Sequence, residues 1–454
     1  NCVLLSDYGL RELVNKSPTL SQLKCYGNEL IDGTMFSVPI PGQVMECNLF
    51  ISCQVNSFVL QGCHLIDDER ITWLAQSCMH LKSLDISNCP KVSSVGISTL
   101  CEKCTNLEAL NVIGCGDIID YAVSSMTQNC RGMRAIDLAG HYLLTDASIS
   151  FILSNCLSLN YLNLSGLTQL TDTTFVPAAE IEQEMDLVKN SRAVKKYVRA
   201  ELTSLHMADM SYISDASLGA IGILFNKLKV IDLSNCSMIT NLGVAKLCKF
   251  CNRLKNANFS FCQRLTHRAV SYITKYCKSL ETLKLSARKK TASAMKMSDK
   301  SLNLIFSRLE KLKVLEVKNR QNMSANKLKK VNATNLRAAN FSGCIKLRAK
   351  GLVKIILACK KLENLDVTNC KNITKKFVIE VYRLRQPYCK ISKNYRGIES
   401  VPNATLMKHQ YAYSKRKRLE NDSAAMLQKR WREWLQGEFT LMYLFRWTKN
   451  LKRK

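Results

Sequence analysis

Cysteine and histidine are the residues of this chain best suited to chemistry, and there are 21 of the first and six of the second in 454 positions. Two CxxC pairs, Cys101 with Cys104 and Cys248 with Cys251, have the spacing of half a zinc site. Asp85, Asp137, Asp232 and Asp366 recur in similar apolar surroundings as a ladder of carboxylates that could attract a cation. The histidines, His64, His80, His141, His206, His267 and His409, share no common partner. There is no GxxxxGK[ST] loop, GxSxG elbow, HExxH pair or Rossmann glycine fingerprint. No catalytic, cofactor-binding or metal-ligating residue is assigned, and enzyme activity is not expected.

The elements that position these residues explain most of them. An LxxLxL-like pattern occurs thirteen times, with clean copies from Leu81, Leu107, Met133, Leu159, Leu202, Leu228, Leu254, Leu280, Leu312, Leu336 and Leu362, and looser ones from Leu20 and Val55. Eight of the twelve intervals are 26 residues, so one supersecondary unit repeats along the chain. Each unit reads as a strand, an xITD-like turn, and then apolar residues at helical spacing. Leu81, Leu84 and Ile86 should point into the core, with Asp85 and Ser87 facing out. Such a unit cannot bury its apolar face alone, so the units must stack. Cys63, Cys89, Cys115, Cys236, Cys262, Cys344 and Cys370 close the strand motif; Cys78, Cys104, Cys130, Cys156, Cys251, Cys277 and Cys359 stand three residues before the next strand motif. Fourteen cysteines in packing register are expected to be small buried hydrophobes with reduced thiols, which points to a reducing compartment, cytosol or nucleus. The Asp ladder is likewise expected to be part of the repeat. His206, between Leu205 and Met207, reads as a surface residue or a partner contact.

With its CxxLT and CxxIT turns, the pattern resembles the cysteine-containing leucine-rich repeats of F-box/leucine-rich-repeat proteins over roughly residues 20 to 395. The resemblance implies an α/β leucine-rich-repeat solenoid, a curved arc with parallel strands on the concave side and helices on the convex side. The expected organisation is an irregular N-terminal repeat or cap over 1–54, the solenoid over 55–395, a basic linker over 396–420 and a helical C-terminal tail over 421–454. Insertions are expected at about 175–200 and 286–300, where the interval lengthens to 43 and 32 residues. Each is either a docking element or a tolerated surface loop.

Charge divides the chain. Residues 1–200 hold 14 Lys and Arg against 20 Asp and Glu, a net of −6, whereas residues 201–454 hold 52 against 16, a net of +36. Such asymmetry calls for an acidic partner such as tubulin, an acidic helix-binding protein or nucleic acid, unless the lysines are merely a solvated surface. Arg288, Lys289 and Lys290 in the second insertion and Lys415, Arg416, Lys417 and Arg418 in the linker are the candidate electrostatic docking residues. The latter four also read as a nuclear-import cluster.

The tail, SAAMLQKRWREWLQGEFTLMYLFRWTKNLKRK, places Leu427, Trp431, Trp434 and Leu435 on one helical stripe with bases elsewhere. It resembles the IQ motif through which cytoskeletal and ciliary proteins bind calmodulin-like EF-hand proteins, with Leu427 and Gln428 matching the opening pair and Arg432 the internal arginine. Glu433 stands where glycine is usual. Leu427, Gln428, Trp431, Arg432, Trp434 and Leu435 are the implied partner-binding residues. The same helix could cap the last repeat or lie on an anionic membrane.

Repeat subtype and IQ-like tail together resemble axonemal and cytoskeletal scaffolds, including those of the nexin–dynein regulatory complex. The expected function is a non-catalytic interaction scaffold in a ciliary or axonemal assembly, with no cofactor. One alternative is the substrate-recognition subunit of a cullin-based ubiquitin ligase with an F-box upstream of Asn1; another is a structural component of a ribonucleoprotein particle. RNA is less favoured, because aromatic residues do not interleave with the bases before the tail. No run of 18 apolar residues suggests a membrane span.

Overall fold

The computed structural model describes residues 6–36 (18 and 29 excepted), 55–178, 201–289, 297–374, 377 and 390–392. The chain divides into two compact units, 1–394 and 395–454, and every described residue belongs to the first.

Each of the thirteen LxxLxL segments contributes a strand of three residues, and a fourteenth strand follows at the C-terminal end. They are β1 Gln22–Lys24, β2 Ser57–Val59, β3 Ser83–Asp85, β4 Ala109–Asn111, β5 Ala135–Asp137, β6 Tyr161–Asn163, β7 Ser204–His206, β8 Val230–Asp232, β9 Asn256–Asn258, β10 Thr282–Lys284, β11 Val314–Glu316, β12 Ala338–Asn340, β13 Asn364–Asp366 and β14 Lys390–Ser392. They form one parallel sheet in sequence order. The register never slips, so that Leu84 lies between Phe58 and Leu110. One-residue slippage would turn every core leucine to the other face.

Ten α-helices are described. They are α1 Asp7–Lys16, α2 Asp68–Ser77, α3 Ser94–Lys103, α4 Asp120–Asn129, α5 Asp146–Asn155, α6 Asp215–Leu224, α7 Asn241–Phe250, α8 His267–Tyr276, α9 Asp299–Arg308 and α10 Ala349–Ala358. Their starts are written in the sequence. The Ser or Thr of the xITD-like turn is the N-cap, its hydroxyl accepting from the amide two residues on at Ser93, Thr145, Ser214, Thr240 and Thr266. The residue after the cap, usually Asp, reaches into the next repeat. Asp68 accepts from the Ser93 N–H at 2.7 Å and its hydroxyl at 2.6 Å, and Asp120, Asp146, Asp172, Asp215 and Asp299 repeat the contact. After most strands the chain turns through a left-handed residue, Asn88, Gly114, Gly140, Asn235, Gly343 and Asn369 among them, residue types that tolerate positive φ.

This is the α/β solenoid of leucine-rich repeats, with helices on one face of an open parallel sheet and the leucine core between them. Two expectations about the helix-free face are corrected. Asp85 and Ser87 are buried, as is His206. Strands less than about 5 Å apart bring like positions into ladders, where each side chain is flanked by its counterparts. Hydrogen bonds absorb the polarity: the N–H two residues on donates to Asp85, Asn111, Asn163, Asp232, Asn258, Asn340 and Asp366 at 2.9–3.1 Å. The recurring Asp is thus an Asx turn that fixes the exit from the strand.

Among the described residues the repeat after β6 carries only a 3-10 helix, Asp172–Ala178, and the repeat after β11 departs further. The interval from Leu312 to Leu336 is 24 residues, and the stretch from Asn322 to Asn335 forms no helix. The helical layer therefore lacks one element between α9 and α10.

Candidate docking surface

The groups that could do chemistry are largely consumed by the architecture. Sixteen of the described cysteines are thiols, and most donate S–H to a carbonyl of the preceding repeat. Cys89 reaches Leu60 O at 3.3 Å, Cys236 Met207 O at 3.1 Å and Cys262 Leu233 O at 3.0 Å; in the helix-end series Cys104 reaches Cys78 O and Cys130 reaches Cys104 O, both at 3.4 Å. Burial pushes the thiols of Cys89, Cys104, Cys251, Cys262 and Cys344 up to about 12, far from the thiolate form a nucleophile or ligand needs. Both CxxC pairs are wholly buried, and no three ligating side chains converge among the described residues. Cys78 corrects the reading of every repeat cysteine as a reduced thiol, because it is disulfide-bonded.

In two repeats another donor stands at the Cys position and reaches the same carbonyl. His141 Nε2 lies 2.7 Å from Val112 O, and Arg320 donates through Nε to Leu285 O at 2.6 Å although 1% exposed. Burial lowers the Arg320 guanidinium to about 10. Leu167 and Met210 hold the same register buried without a donor, so the position selects a buried side chain, and Cys, His141 or Arg320 adds a bond to the carbonyl behind it.

At the middle of the helix-free face lies a polar layer. Asp137 accepts from Tyr161 Oη at 3.0 Å and Asn163 Nδ2 at 2.8 Å, Ser204 Oγ lies 2.9 Å from His206 Nε2, and the Tyr161 and His206 rings are 5.3 Å apart. Burial raises the Asp137 carboxyl to about 7, against the hydrogen bonds of Asn163, Ala139 and Tyr161. With Asp137, Tyr161, Asn163 and His206 all buried, the layer joins repeats and presents little to a substrate.

What remains accessible is charge. On the rim where helices return to strands, Lys82 and Arg134 of the first half bracket Glu108 at 3.2 and 3.3 Å beside a cleft of about 520 Å³ that Arg131 also lines. In the second half Glu281 sits between Lys255 and Lys313, Glu316 between Lys284 and Lys318, and Glu201 pairs with Lys227. Beyond these, Arg264, Arg268, Lys289, Lys311, Lys350 and Lys360 are exposed and form no ion pair among the described residues. The largest concentration lines a second cleft, of about 450 Å³, beside α9 at the missing helix. Lys300, Arg308, Lys327, Lys329 and Lys330 stand around it, all exposed. Its one carboxylate, Asp299, already accepts from Ser324, Ala325 and Lys327.

Of the expected docking residues, Arg288 and Lys289 are exposed, and Arg288 Nη2 donates to Asn235 Oδ1 at 2.8 Å. Lys290, Lys415, Arg416, Lys417 and Arg418, with Leu427, Gln428, Trp431, Arg432, Trp434 and Leu435, lie outside the described residues, as does most of both insertions. The cations of the second cleft were not singled out by the sequence reading; the short interval after Leu312 was their signal.

No family model and no curated protein matches the chain. Among solved structures it is similar to the crystal structure of the Rad7 and Elc1 complex in yeast, with 16% identity and a TM-score of 0.45, over 71% of this chain and 86% of that one.

Proposed function

We propose that the chain is a non-catalytic protein-interaction scaffold whose basic second half docks on an acidic partner. The observation that carries this reading is uncompensated positive charge on a solenoid whose thiols and ladder carboxylates are occupied within the repeats. Exposed cations in excess of their acids raise the local concentration of an acidic partner and guide its approach. The finer setting we propose is a cytoskeletal assembly, axonemal or ciliary, with tubulin supplying the acidic surface of the solenoid's partner and a calmodulin-like EF-hand protein that of the tail.

Co-sedimentation of the full chain with polymerised tubulin tests the reading. Binding is expected to weaken from low to moderate salt, as screening shortens to roughly 10 Å at about 0.1 M. Reversing Lys311 and Lys360 to Glu should weaken it at low salt; the same change at Lys103 and Arg131 in the first half should not. Salt-independent binding, or equal losses in the two variants, would sink the reading.

A further inference from the structure

The cleft beside α9 lies in an ordered part of the solenoid. The segment that replaces the missing helix is fastened to α9 through Asn303, whose Nδ2 donates to Lys327 O and whose Oδ1 accepts from Lys329 N, both at 2.8 Å. Asn332 adds bonds to Phe306 O at 2.7 Å and Ser307 O at 3.1 Å. On the other side Lys354 of α10 donates to Leu328 O at 3.0 Å. A strap held at both edges, with Leu328 and Ala333 buried, runs where the flanking repeats carry a ten-residue helix and leaves a groove between itself and α9.

The groove has a definite chemistry. Lys300, Leu304 and Arg308 stand at i, i+4 and i+8 of α9 and so share one stripe of that helix. Half-buried Leu304 is the apolar floor between two cations, and Lys327, Lys329 and Lys330 form the opposite wall. None of the five cations has an ion pair among the described residues. The lining contains no aromatic side chain on which a base could stack, which disfavours single-stranded nucleic acid. Two cationic walls over an apolar floor match a rod with an apolar stripe flanked by carboxylates.

We propose that this groove receives an acidic amphipathic helix of a partner protein, about three turns long, which lies against α9 where the repeat starting at Leu312 forms no helix of its own. The proposal rests on the scaffold reading and names one site within it. A helix of roughly 10 residues spans about 15 Å, the length of α9 against which it would lie. Apolar residues at i and i+4 would meet Leu304 while Glu and Asp on either side meet the two walls.

The experiment measures fluorescence anisotropy of the full chain with three probes: a labelled Glu- and Leu-based peptide of about three helical turns, its scrambled isomer, and a short single-stranded RNA. The amphipathic peptide should bind more tightly than the other two. Lys327→Glu with Lys329→Glu should weaken it about tenfold or more, whereas Arg264→Glu with Arg268→Glu, an equal charge change elsewhere in the basic half, should change it less than about twofold. Leu304→Asn, which alters no charge, should weaken the amphipathic peptide and leave the scrambled one unchanged. Equal losses in the two charge variants, indifference to scrambling, or preference for RNA would each overturn the proposal. The scaffold reading stands or falls separately, on tubulin binding and its dependence on Lys311 and Lys360.

Discussion

The carboxylate of Asp215 lies directly over Gly243, one repeat further on, in the space a Cβ would fill. The same oxygen accepts the Thr240 N–H at 2.7 Å, and the other accepts the Thr240 hydroxyl at 2.5 Å. A carboxylate at the start of one helix thereby closes the N-terminus of the next, and the following helix carries glycine to let it approach. Asp68 over Gly96 repeats the arrangement. Nearest-neighbour bonds of this kind are what hold a solenoid together, since each repeat touches only its neighbours.

Substitution should expose that coupling. Gly243→Ala would raise helix propensity by up to about 1 kcal/mol in an open helix, yet here the new methyl meets Asp215 and thermal stability should fall. Asp215→Ala removes a cap and should cost about 1–2 kcal/mol. In the double variant the carboxylate no longer blocks the methyl, although the Cα of residue 215 stays 3.0 Å from it, so the Gly243 change should cost less than it does in the wild type. Chemical denaturation of the four proteins gives the cycle; additive effects would show that the two residues do not interact.

Phe261 adopts the left-handed turn, φ 65°, that Asn or Gly takes in most other repeats. A bulky residue there carries strain of order 1 kcal/mol or more, and the residue is 37% exposed, so its burial only partly offsets that strain. Phe261→Asn should raise stability by about 1 kcal/mol. A lowered thermal midpoint would mean that the ring packs better than its exposure indicates.

The register, the strand-to-helix order and the packing role of the cysteines were legible because each depends on residues close in sequence, and the 26-residue period repeats them. Side-chain alternation placed Asp85 on the helix-free face but carried no information on how tightly the ladder closes over it, which is why its burial was missed. The Asp of the xITD-like turn was visible, while its bond to the next cap, as in Asp68 with Ser93, joins residues 25 apart and leaves no local pattern. The groove arises from a helix that does not form. A scan for apolar periodicity finds helices, so Lys327, Lys329 and Lys330 passed as ordinary surface charge.

The thiols should be inert in the native state. Those raised to about 12 are almost wholly protonated at pH 8, and their sulfurs are buried against carbonyls. A thiol-reactive chromophore should label few cysteines of the folded chain and many more in denaturant. Rapid native labelling, or stoichiometric zinc lost on replacing Cys101 and Cys104, would contradict the packing role.

The tail offers two separable outcomes. If Trp431 and Trp434 anchor a partner-bound helix, replacing both with Ala should weaken calmodulin binding about a hundredfold or more, since each such anchor is worth about 2 kcal/mol, and leave the thermal midpoint unchanged. If the tail caps the last repeat, the midpoint falls and calmodulin binding does not change. One double variant measured both ways decides.

Stability should depend on pH with two opposed limbs. Burial pushes the carboxyls of Asp120, Asp146 and Asp299 up, but hydrogen bonds from the next repeat outweigh it and hold them below the ordinary 3.8. Their contribution is present above that value and lost as pH falls through the lower folded one, so the chain should weaken steeply in acid. Asp137 has the opposite sign. Its folded value of about 7 exceeds 3.8, so between those values the native state holds the extra proton, and stability declines as pH rises through the window. At about 1.4 kcal/mol per unit the decline is on the order of a few kcal/mol. Asp137→Asn keeps an acceptor for Asn163 and Ala139 and imitates the Asn at the same position in the flanking strands, Asn111 and Asn163. Buried His141, whose value is lowered by burial, gains stability with rising pH and is common to both proteins, so it cancels in their difference. The midpoint of the variant minus that of the wild type should therefore climb between pH 5 and about pH 8. A flat difference would show that Asp137 is ionised throughout that range.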